Sequence, residues 1–555
     1  MHIKRLASAL LIVLSALSLS LSAQRPTPPS SATRTAAPAR RLTPPLVVLI
    51  VVDQFRADYV QRYGHMWTKG LRRLVDTGAY FPQAQYPYAV TLTCAGHATI
   101  GTGAYPRTHG MIANSWYDRA QKKSVTCTED PGIEPIAYGG LTGKEHHGPK
   151  WLRTNTFADE LRNQQTIAPK ITSISFKPRS AIGMAGHGGD LVLWAEDNGA
   201  WATSSAYAKS ARPDVDAAAA AHAITAQFGR TWDRMLPASA YAFADDEPGE
   251  QRGLVVFPHV LTGPNNKADQ AFLTVWERSP FIDEPLADYA IAFSNEFGTG
   301  AGTDLLAVSF SGLDYVGHYY GPKSHEVQDT LVRLDAQLGR LFDTLDKRLG
   351  AGKYVVALSA DHGVAPVPEQ VSAMGLDAGR ITAASVTKAI TDAWKPFATD
   401  DVSPIANNNG TDLYFTPAAL ATLHANHAAK YAVTEAALAV PGIEYAYWGD
   451  DLAQGQSGDD AIKRAAILSY VPGRSADLLL IPKPYWMVGS ALAATHGTPY
   501  AYDQRVPVFL MGFGVKPGHY LTAASPADIA PTLAFLTGIT LPRAEGRALT
   551  EAVQR

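Results

Sequence analysis

The chain has 555 residues, of which 48 are Lys or Arg and 51 are Asp or Glu, so its formal net charge is −3 at pH 7. This balance excludes the basic field with which proteins bind nucleic acid, and it excludes a polybasic membrane patch. Hydrophobic residues make up 46% of the chain, which is enough for a large buried core. The length allows one large α/β domain with insertions, or two to four average domains.

The first 23 residues have the pattern of a secretory signal peptide. A basic start precedes an apolar run from Leu6 to Leu21, and the segment ends on small residues at Ser22-Ala23. The apolar run is short and interrupted by serines, which argues against a permanent membrane anchor. We therefore expect a periplasmic or secreted protein that has no stable membrane association once the signal is removed.

Residues 24–45 contain six prolines among Ser, Thr, Ala and Arg. Such a segment buries too little apolar surface to fold, so it predicts a disordered leader. The folded part is therefore predicted to span residues 46–555.

Apolar runs typical of strands buried on both faces alternate with helix-like stretches in the rest of the chain. The predicted strands are Leu46 to Val52, Ile171 to Phe176, Leu305 to Phe310, Tyr354 to Leu358 and Val506 to Met511, and the predicted helices cover 57–77, 157–165 and 326–348. This alternation predicts an α/β/α sandwich with a mostly parallel central sheet. Two regions, near 190–290 and 395–480, break the rhythm and are predicted to be cap insertions in a single catalytic domain.

Acidic residues and histidines follow several predicted strands at the point where each strand ends. They are Asp53, Asp314, His318, Asp361 and His362, joined by His496 from a loop before the last predicted strand. Because ligands bind at the carboxyl ends of the strands in parallel sheets, we expect these side chains to share one site.

Each of these motifs is weak alone. Asp314 and His318 have the i, i+4 spacing of a metal-binding helical turn, but a surface helix pair has the same spacing. The dipeptide Asp361-His362 also occurs by chance. Together, three carboxylates and three imidazoles supply two sites with mixed nitrogen and oxygen ligands, which suit Zn²⁺ better than Ca²⁺ or Mg²⁺. The pattern leaves open whether calcium binds in addition.

Thr93 lies in a segment rich in Thr, Gly and Ala that predicts a helix N-terminus, where backbone N–H groups favour an anion. A threonine hydroxyl is a poor nucleophile unless a metal lowers its pKa. The alternative is that Thr93 only caps the helix.

Two cations separated by a proline, Lys177 and Arg179, follow the second predicted strand and suit the binding of phosphoryl oxygens. A solvated basic turn is the alternative. Asn114 alone would be interpreted as a turn residue, and His97 and His187 as structural histidines. Cys94 and Cys127 are the only cysteines in the sequence, and the sequence leaves open whether they form a disulfide.

The order of these motifs resembles that of the alkaline phosphatase superfamily. The blocks are Val52-Asp53-Gln54-Phe55-Arg56, Thr91-Leu-Thr93-Cys-Ala-Gly-His97, Lys177-Pro-Arg179, Asp314-Tyr-Val-Gly-His318, Asp361-His362-Gly363 and the His496 loop. More closely, the chain resembles exported bacterial alkaline phosphatases with a threonine nucleophile, the PafA/PhoK type, from about Leu46 to the C-terminus.

This resemblance implies an alkaline-phosphatase-like fold and two Zn²⁺ per chain. One zinc ion would be held by Asp314, His318 and His496, and the other by Asp53, Asp361, His362 and the oxygen of Thr93. Asn114, Lys177 and Arg179 match the family positions that bind the non-bridging phosphate oxygens.

The expected reaction is hydrolysis of small-molecule phosphate monoesters through a covalent phosphothreonine at Thr93. A phosphodiesterase of the nucleotide pyrophosphatase type is the first alternative, although it must house a second ester substituent beside Lys177 and Arg179. A cytosolic phosphate mutase fits the predicted signal peptide poorly. A non-catalytic exported protein that binds metal or phosphate is an alternative of another class. The sequence does not indicate an oligomeric state.

Overall fold

Strand Leu46–Val52 is buried along its whole length and separates two halves of the core. In the computed structural model, which describes residues 43–250, 255–399, 402–489 and 491–554, Val48 and Ile50 face one apolar cluster, whereas Val47 and Leu49 face another. A strand that is buried on both faces must be covered by helices on both sides. The uninterrupted aliphatic run therefore specifies a layered α/β/α arrangement, as predicted.

The strands of the described residues are β1 Leu46–Val52, β2 Ala79–Phe81, β3 Ser115–Asp118, β4 Lys123–Thr126, β5 Pro135–Tyr138, β6 Ile171–Ser175, β7 Leu191–Ala195, β8 Trp201–Ser204, β9 Thr231–Trp232, β10 His259–Val260, β11 Asp304–Phe310, β12 Val355–Ser359, β13 Gly379–Ile381, β14 Ile405–Asn408, β15 Asp412–Phe415, β16 Ile443–Trp448, β17 Leu478–Pro482, β18 Trp486–Val488, β19 Val508–Gly512 and β20 Gly518–His519.

The α-helices of the same residues are α1 Tyr59–Tyr63, α2 Gly70–Thr77, α3 Thr93–Thr102, α4 Pro106–His109, α5 Phe157–Gln164, α6 Pro178–Ala185, α7 Pro213–Ala221, α8 Gln270–Glu277, α9 Asp283–Phe293, α10 Gly312–Tyr320, α11 His325–Leu349, α12 Pro368–Ala373, α13 Ala383–Trp394, α14 Pro417–Ala425, α15 His427–Leu438, α16 Gly449–Ala453, α17 Ala461–Ser469, α18 Ala501–Gln504 and α19 Ile529–Thr537.

The central sheet has ten strands in the order β20-β2-β19-β12-β1-β11-β6-β7-β8-β5. Its middle is parallel, because β1 pairs in parallel with both β11 and β12, and β6 pairs in parallel with β11 and β7. The predicted mostly parallel sheet is thus confirmed. The last predicted strand is the exception: β19 runs antiparallel to both of its neighbours, β12 and β2.

Helices cover both faces of this sheet. One face packs against the leucines of α11, including Leu334, Leu338 and Leu341. The other face packs against α5 and α19, which contribute Leu161 and Leu533. Because both faces are covered, a ligand can approach the sheet only at the ends of its strands.

The stretch predicted as one helix, 57–77, is two helices with a break between them. Trp67 is buried in an extended conformation, and helix α2 begins only at Gly70. The Asp335 carboxylate of α11 accepts the N–H groups of Thr68, Lys69 and Arg72. A cap supplied from so far along the chain overrides the local helical pattern.

The two predicted cap insertions differ in structure. The region near 190–290 supplies β7 and β8 of the central sheet, together with the small β9-β10 pair. The region near 395–480 forms most of a second sheet, β14-β15-β17-β16. This sheet packs with α13, α14 and α15 around its own apolar cluster. The division into one catalytic domain with two caps stays a prediction.

The predicted signal peptide and all but the last three residues of the predicted leader lie outside the described residues. Among the helices that are described, none has the length and apolar character needed to cross a bilayer.

Candidate active site

Two groups of three potential metal ligands meet at the carboxyl ends of the central strands. Cluster A consists of Asp53, which follows β1, and of Asp361 and His362, which follow β12. Cluster B consists of Asp314 and His318, one turn apart on α10, and of His496 from the loop between β18 and α18. Strand β1 pairs with both β11 and β12, so the sheet itself brings these segments together.

The distances within each cluster fit a tetrahedral divalent-metal site. His362 Nε2 lies 3.4 Å from Asp53 Oδ1 and 3.3 Å from Asp361 Oδ2. In cluster B, Asp314 Oδ1 lies 3.2 Å from His318 Nε2 and 3.7 Å from His496 Nε2. Two ligands bonded tetrahedrally at 2.0–2.1 Å are separated by about 3.3 Å. Asp53 Oδ1 is also buried without a hydrogen-bond partner among the described residues, as expected of an oxygen that binds a cation.

Backbone carbonyls orient all three histidines of the clusters. Nδ1 lies 2.9 Å from the Gly363 carbonyl oxygen in His362, 2.8 Å from that of Ala494 in His318, and 2.7 Å from that of Thr91 in His496. Since a carbonyl only accepts, each Nδ1 carries the proton and each Nε2 presents a lone pair to its cluster. The His362 and His496 rings stack with their centroids 3.4 Å apart, which places the clusters side by side.

Charge is concentrated in this buried site. Burial, reinforced by Asp314 and Asp361, raises the pKa of the Asp53 carboxyl well above its usual range. Burial acts in the same direction on Asp314, but His318 and Lys177 outweigh it and hold the pKa of that carboxyl well below the usual range. Burial and the neighbouring His362 and His318 rings lower the pKa of His496, which favours the neutral form that can bind a metal. The arrangement thus suits divalent cations.

Thr93 is the first residue of α3 and is almost fully buried. Its Oγ1 lies 3.4 Å from His362 Nε2 in cluster A. Leu92 occupies the cap position, so the alternative interpretation of Thr93 as a simple cap is not supported. The hydroxyl is therefore placed beside cluster A at a helix N-terminus.

Lys177 lies between the two clusters rather than in solvent. Its Nζ donates to Asp53 Oδ2 at 2.6 Å and to Asp314 Oδ2 at 2.5 Å, and only 2% of the residue is exposed. Burial opposes this charge, yet the two carboxylates raise the pKa of Lys177 above its usual value. The alternative of a solvated basic turn is therefore wrong for Lys177.

Arg179 and Asn114 line one cavity of about 230 Å³ with Lys177. Arg179 Nε is buried and has no hydrogen-bond partner among the described residues. Asn114 accepts the Cys94 backbone N–H with Oδ1 at 2.9 Å, which leaves the amide donors of its side chain for a ligand. These donors are the complement of an anion with several oxygens.

A disulfide joins Cys94 to Cys127 across a sequence separation of 33 residues. The Asn114 carbonyl oxygen accepts the Cys127 N–H at 3.0 Å, so Asn114 is held by the backbones of both bridged residues. The structure thus answers the question that the two cysteines left open in the sequence.

Two buried residues support the clusters, and sequence reasoning assigned neither of them a site role. Gln54 donates from Nε2 to Asp314 Oδ1 at 2.7 Å and from its backbone N–H to Asp361 Oδ1 at 3.2 Å. His97 lies 2.7 Å from Ser309 Oγ through Nε2 and 3.2 Å from Asp361 Oδ2 through Nδ1. The only signal in the sequence was their position inside the motif blocks of Asp53 and Thr93.

All the predicted site residues except Arg179 and Asn114 have a contact within or beside the two clusters, and those two residues share a cavity with Lys177. Their individual catalytic and metal-binding roles stay predictions.

Comparison with known proteins agrees with this geometry. The sequence pattern of type I phosphodiesterase / nucleotide pyrophosphatase matches residues 47–500. Alkaline phosphatase PafA of Elizabethkingia meningoseptica is 32% identical over 526 residues, which cover 92% of this chain and 95% of the relative. Alkaline phosphatase PhoV of Synechococcus elongatus is 31% identical over 521 residues, with 92% and 93% covered.

The fold is similar as well. The crystal structure of wild-type alkaline phosphatase PafA superposes with a TM-score of 0.84 at 30% identity, covering 92% of this chain and 99% of that structure. Sequence and fold therefore lead to the same conclusion. The chain belongs to the type I phosphodiesterase / nucleotide pyrophosphatase family of the alkaline phosphatase superfamily.

Proposed function

We propose that the protein is an exported, zinc-dependent alkaline phosphatase that hydrolyses phosphate monoesters through a phosphothreonine at Thr93. The observation that carries this proposal is the position of the Thr93 hydroxyl, at a helix N-terminus beside two facing clusters that Lys177 connects. Two relatives that align with nine-tenths of the chain are named alkaline phosphatases, and this supports the proposal. The signal-like N-terminus supports export.

Two Zn²⁺ ions fit the donor set best, because imidazole and carboxylate ligands at tetrahedral distances suit zinc. Cluster A with Thr93 Oγ1 would hold one ion, and cluster B would hold the other. Bound there, the metals lower the pKa of the attacking hydroxyl and neutralise developing negative charge. Calcium is not required by any donor group of the two clusters.

The residues of the chain then divide the reaction between them. Thr93 Oγ1 loses its proton and forms a bond to phosphorus while the bond from phosphorus to the alcohol oxygen breaks, and the departing alcohol oxygen takes up a proton. Water next loses a proton and forms a bond to phosphorus as the bond to Thr93 breaks, and Thr93 Oγ1 takes up a proton as phosphate is released. Lys177, Arg179 and Asn114 hold the non-bridging oxygens in both steps, and the α3 N-terminus adds backbone N–H groups.

A phosphodiesterase of the same superfamily is less well supported. A diester needs room for a second substituent beside the phosphorus atom, whereas that side of the site is lined by the buried Lys177 and by Arg179. Two fixed cations favour a dianionic monoester over a singly charged diester.

The test combines three measurements on one purified sample: monoesterase rate, diesterase rate and bound metal. We expect monoester hydrolysis to exceed diester hydrolysis, chelation to abolish it and Zn²⁺ to restore it. Thr93→Ala should lose most of the rate with its metal content unchanged, and Thr93→Ser should retain part of it.

Two results would contradict the proposal. Full activity in a metal-free sample would exclude the two-metal mechanism, and normal turnover by Thr93→Ala would exclude Thr93 as the nucleophile. Bound metal without turnover of either ester class would indicate a non-catalytic binding protein.

A further inference from the structure

His496 is carried by the irregular loop between β18 and α18, whereas the other predicted metal ligands follow central strands or lie on helices. On the N-terminal side of His496, the Ala493 N–H donates to the His318 carbonyl oxygen at 2.9 Å. On its C-terminal side, Gly497 has a φ of 111°, a positive value that glycine adopts readily. Because glycine is also the most flexible residue, contacts beyond Gly497 are needed to fix the backbone of His496.

A carboxylate from α18 supplies these contacts. Asp503 is fully buried, and its Oδ2 accepts the Thr498 N–H at 2.9 Å and the Thr498 hydroxyl at 2.6 Å. The Thr498 carbonyl oxygen accepts the Thr91 hydroxyl at 3.1 Å, and the Thr91 carbonyl oxygen lies 2.7 Å from His496 Nδ1. Asp503 therefore holds the residue that follows Gly497, and that residue contacts the peptide unit that orients the His496 ring.

Helix α18 also contacts the loop of cluster A, but only through its backbone. The Asp503 carbonyl oxygen accepts the Gly363 N–H at 2.7 Å, and the Tyr502 carbonyl oxygen accepts the Val364 N–H at 3.0 Å. Gly363 directly follows His362. Because these bonds do not involve the Asp503 side chain, a substitution of that side chain leaves their donors and acceptors in place.

We propose that Asp503 is a positioning residue for His496, so that its carboxylate sets the zinc affinity of cluster B and leaves that of cluster A unchanged. It acts through Thr498 and Thr91 rather than on the metal or the substrate. Partners that orient a metal-binding histidine typically change metal affinity by about 10- to 100-fold. This inference rests on the proposed function and specifies what holds one ligand of its two-metal site.

The first test measures zinc binding by competition with a chelator, which reports affinity whether or not the enzyme turns over. In Asp503→Ala, we expect one of two zinc ions to bind about 10- to 100-fold more weakly and the other to bind as in wild type. Asp503→Asn should restore the affinity, because an amide oxygen can replace Oδ2 as acceptor and Oδ1 has no hydrogen-bond partner among the described residues. Asp459→Ala, at an exposed position, is the matched control.

The second test identifies the cluster through which Asp503 acts. His496→Ala removes a ligand of cluster B, and His362→Ala removes a ligand of cluster A. Adding Asp503→Ala to His496→Ala should weaken zinc binding no further, whereas adding it to His362→Ala should weaken the remaining ion by the full factor of the single variant. Equal further losses in both double variants would indicate a general structural effect and would overturn the inference.

A third variant keeps the test decisive if Asp503→Ala fails to fold. Thr498→Val retains the carboxylate and removes one of its two donors, so we expect the same zinc ion to bind about ten-fold more weakly, and Thr498→Ser to restore it. Wild-type zinc affinity in every folded variant, with monoesterase activity present, would overturn this inference alone. A wild-type protein that binds no zinc would overturn the proposed function and this inference with it.

Discussion

Gln54 connects the two clusters although it belongs to neither. It contacts Asp314 through its side chain and Asp361 through its backbone. Its φ of 68° lies in the left-handed region, which is unfavourable for a residue other than glycine. Such conformations persist where the surrounding structure over-determines them and are often found at active sites. Gln54 is therefore expected to orient the carboxylates that are proposed to bind metal.

Replacing Gln54 by alanine should weaken metal binding by about 10- to 100-fold, because Asp314 loses the donor that holds it in place. Competition with a chelator of known zinc affinity measures this change. Gln83→Ala, at an exposed position, is the matched control. Equal zinc affinities in the three proteins would show that Gln54 does not orient Asp314.

The double variant Lys177→Ala/Arg179→Ala should lose monoesterase activity much more than diesterase activity. Each charge-assisted contact contributes about 2 to 4 kcal/mol in a closed site, and a dianion gains more from two cations than a singly charged diester does. The measured quantity is the ratio of the two kcat/KM values, with the exposed pair Lys388→Ala/Lys395→Ala as control. An unchanged ratio would favour the diesterase alternative.

At the scale of elements, the disulfide fastens the start of α3 to the segment that follows β4. The bridge holds the residue next to Thr93, and Asn114 is bonded to the backbones of both cysteines. One covalent link therefore fixes the relative positions of the proposed nucleophile and of one proposed phosphate ligand. It acts on the geometry between elements rather than on the metal clusters.

The variant Cys94→Ser/Cys127→Ser should bind phosphate more weakly and should be less stable, with its zinc content unchanged. A loop of 33 residues corresponds to a loss of about 3 to 4 kcal/mol in the free energy of unfolding. The inhibition constant for inorganic phosphate, metal analysis and urea unfolding report the three effects separately. Asn114→Ala is the companion variant, with weakened phosphate binding but an intact bridge. Unaltered phosphate inhibition in the serine variant would assign the bridge to stability alone.

The sequence predicts much of the central sheet because its strands carry their own signal. The uninterrupted run Leu46 to Val52 and the polar residue that follows it sufficed to locate β1 and Asp53. No comparable pattern in the sequence predicts the contacts between distant segments. Gln54 and His97 contact predicted ligands more than 250 residues away, and Asp335, which lies in another element, caps the start of α2 and so interrupts the predicted helix 57–77. The antiparallel direction of β19 is likewise set by its neighbours.

At the scale of the whole molecule, His109 makes folding sensitive to acid. Its buried ring accepts the Met111 N–H at Nδ1, and burial together with Arg474 lowers its pKa to about 3. Below pH 6.5, His109 is protonated in the unfolded chain, whereas in the folded chain it stays neutral until the pH falls to about 3. The stability contribution is therefore complete above pH 6.5 and is lost as the pH falls through this window.

Between pH 8 and pH 5, His109 should lower the free energy of unfolding by about 2 kcal/mol. Urea unfolding of the wild type and of His109→Asn at both pH values isolates the contribution of His109 to the free energy of unfolding, because the two proteins share all other titrating groups and both clusters. The exposed His427→Asn is the control and should retain the wild-type pH dependence. Equal pH dependence in wild type and His109→Asn would contradict the assignment.

The position of β19 in the sheet sets the order in which the protein is completed. Strand β2, near the start of the chain, joins the sheet only through β19, which begins at Val508. All ligands of cluster A have been synthesised by His362, whereas cluster B waits for His496. Because a chain is synthesised from its N-terminus, strand β2 cannot join the sheet before β19 has been made, and the two clusters cannot be paired before His496 has been made. The proposed metal ions would then bind in the compartment in which folding ends.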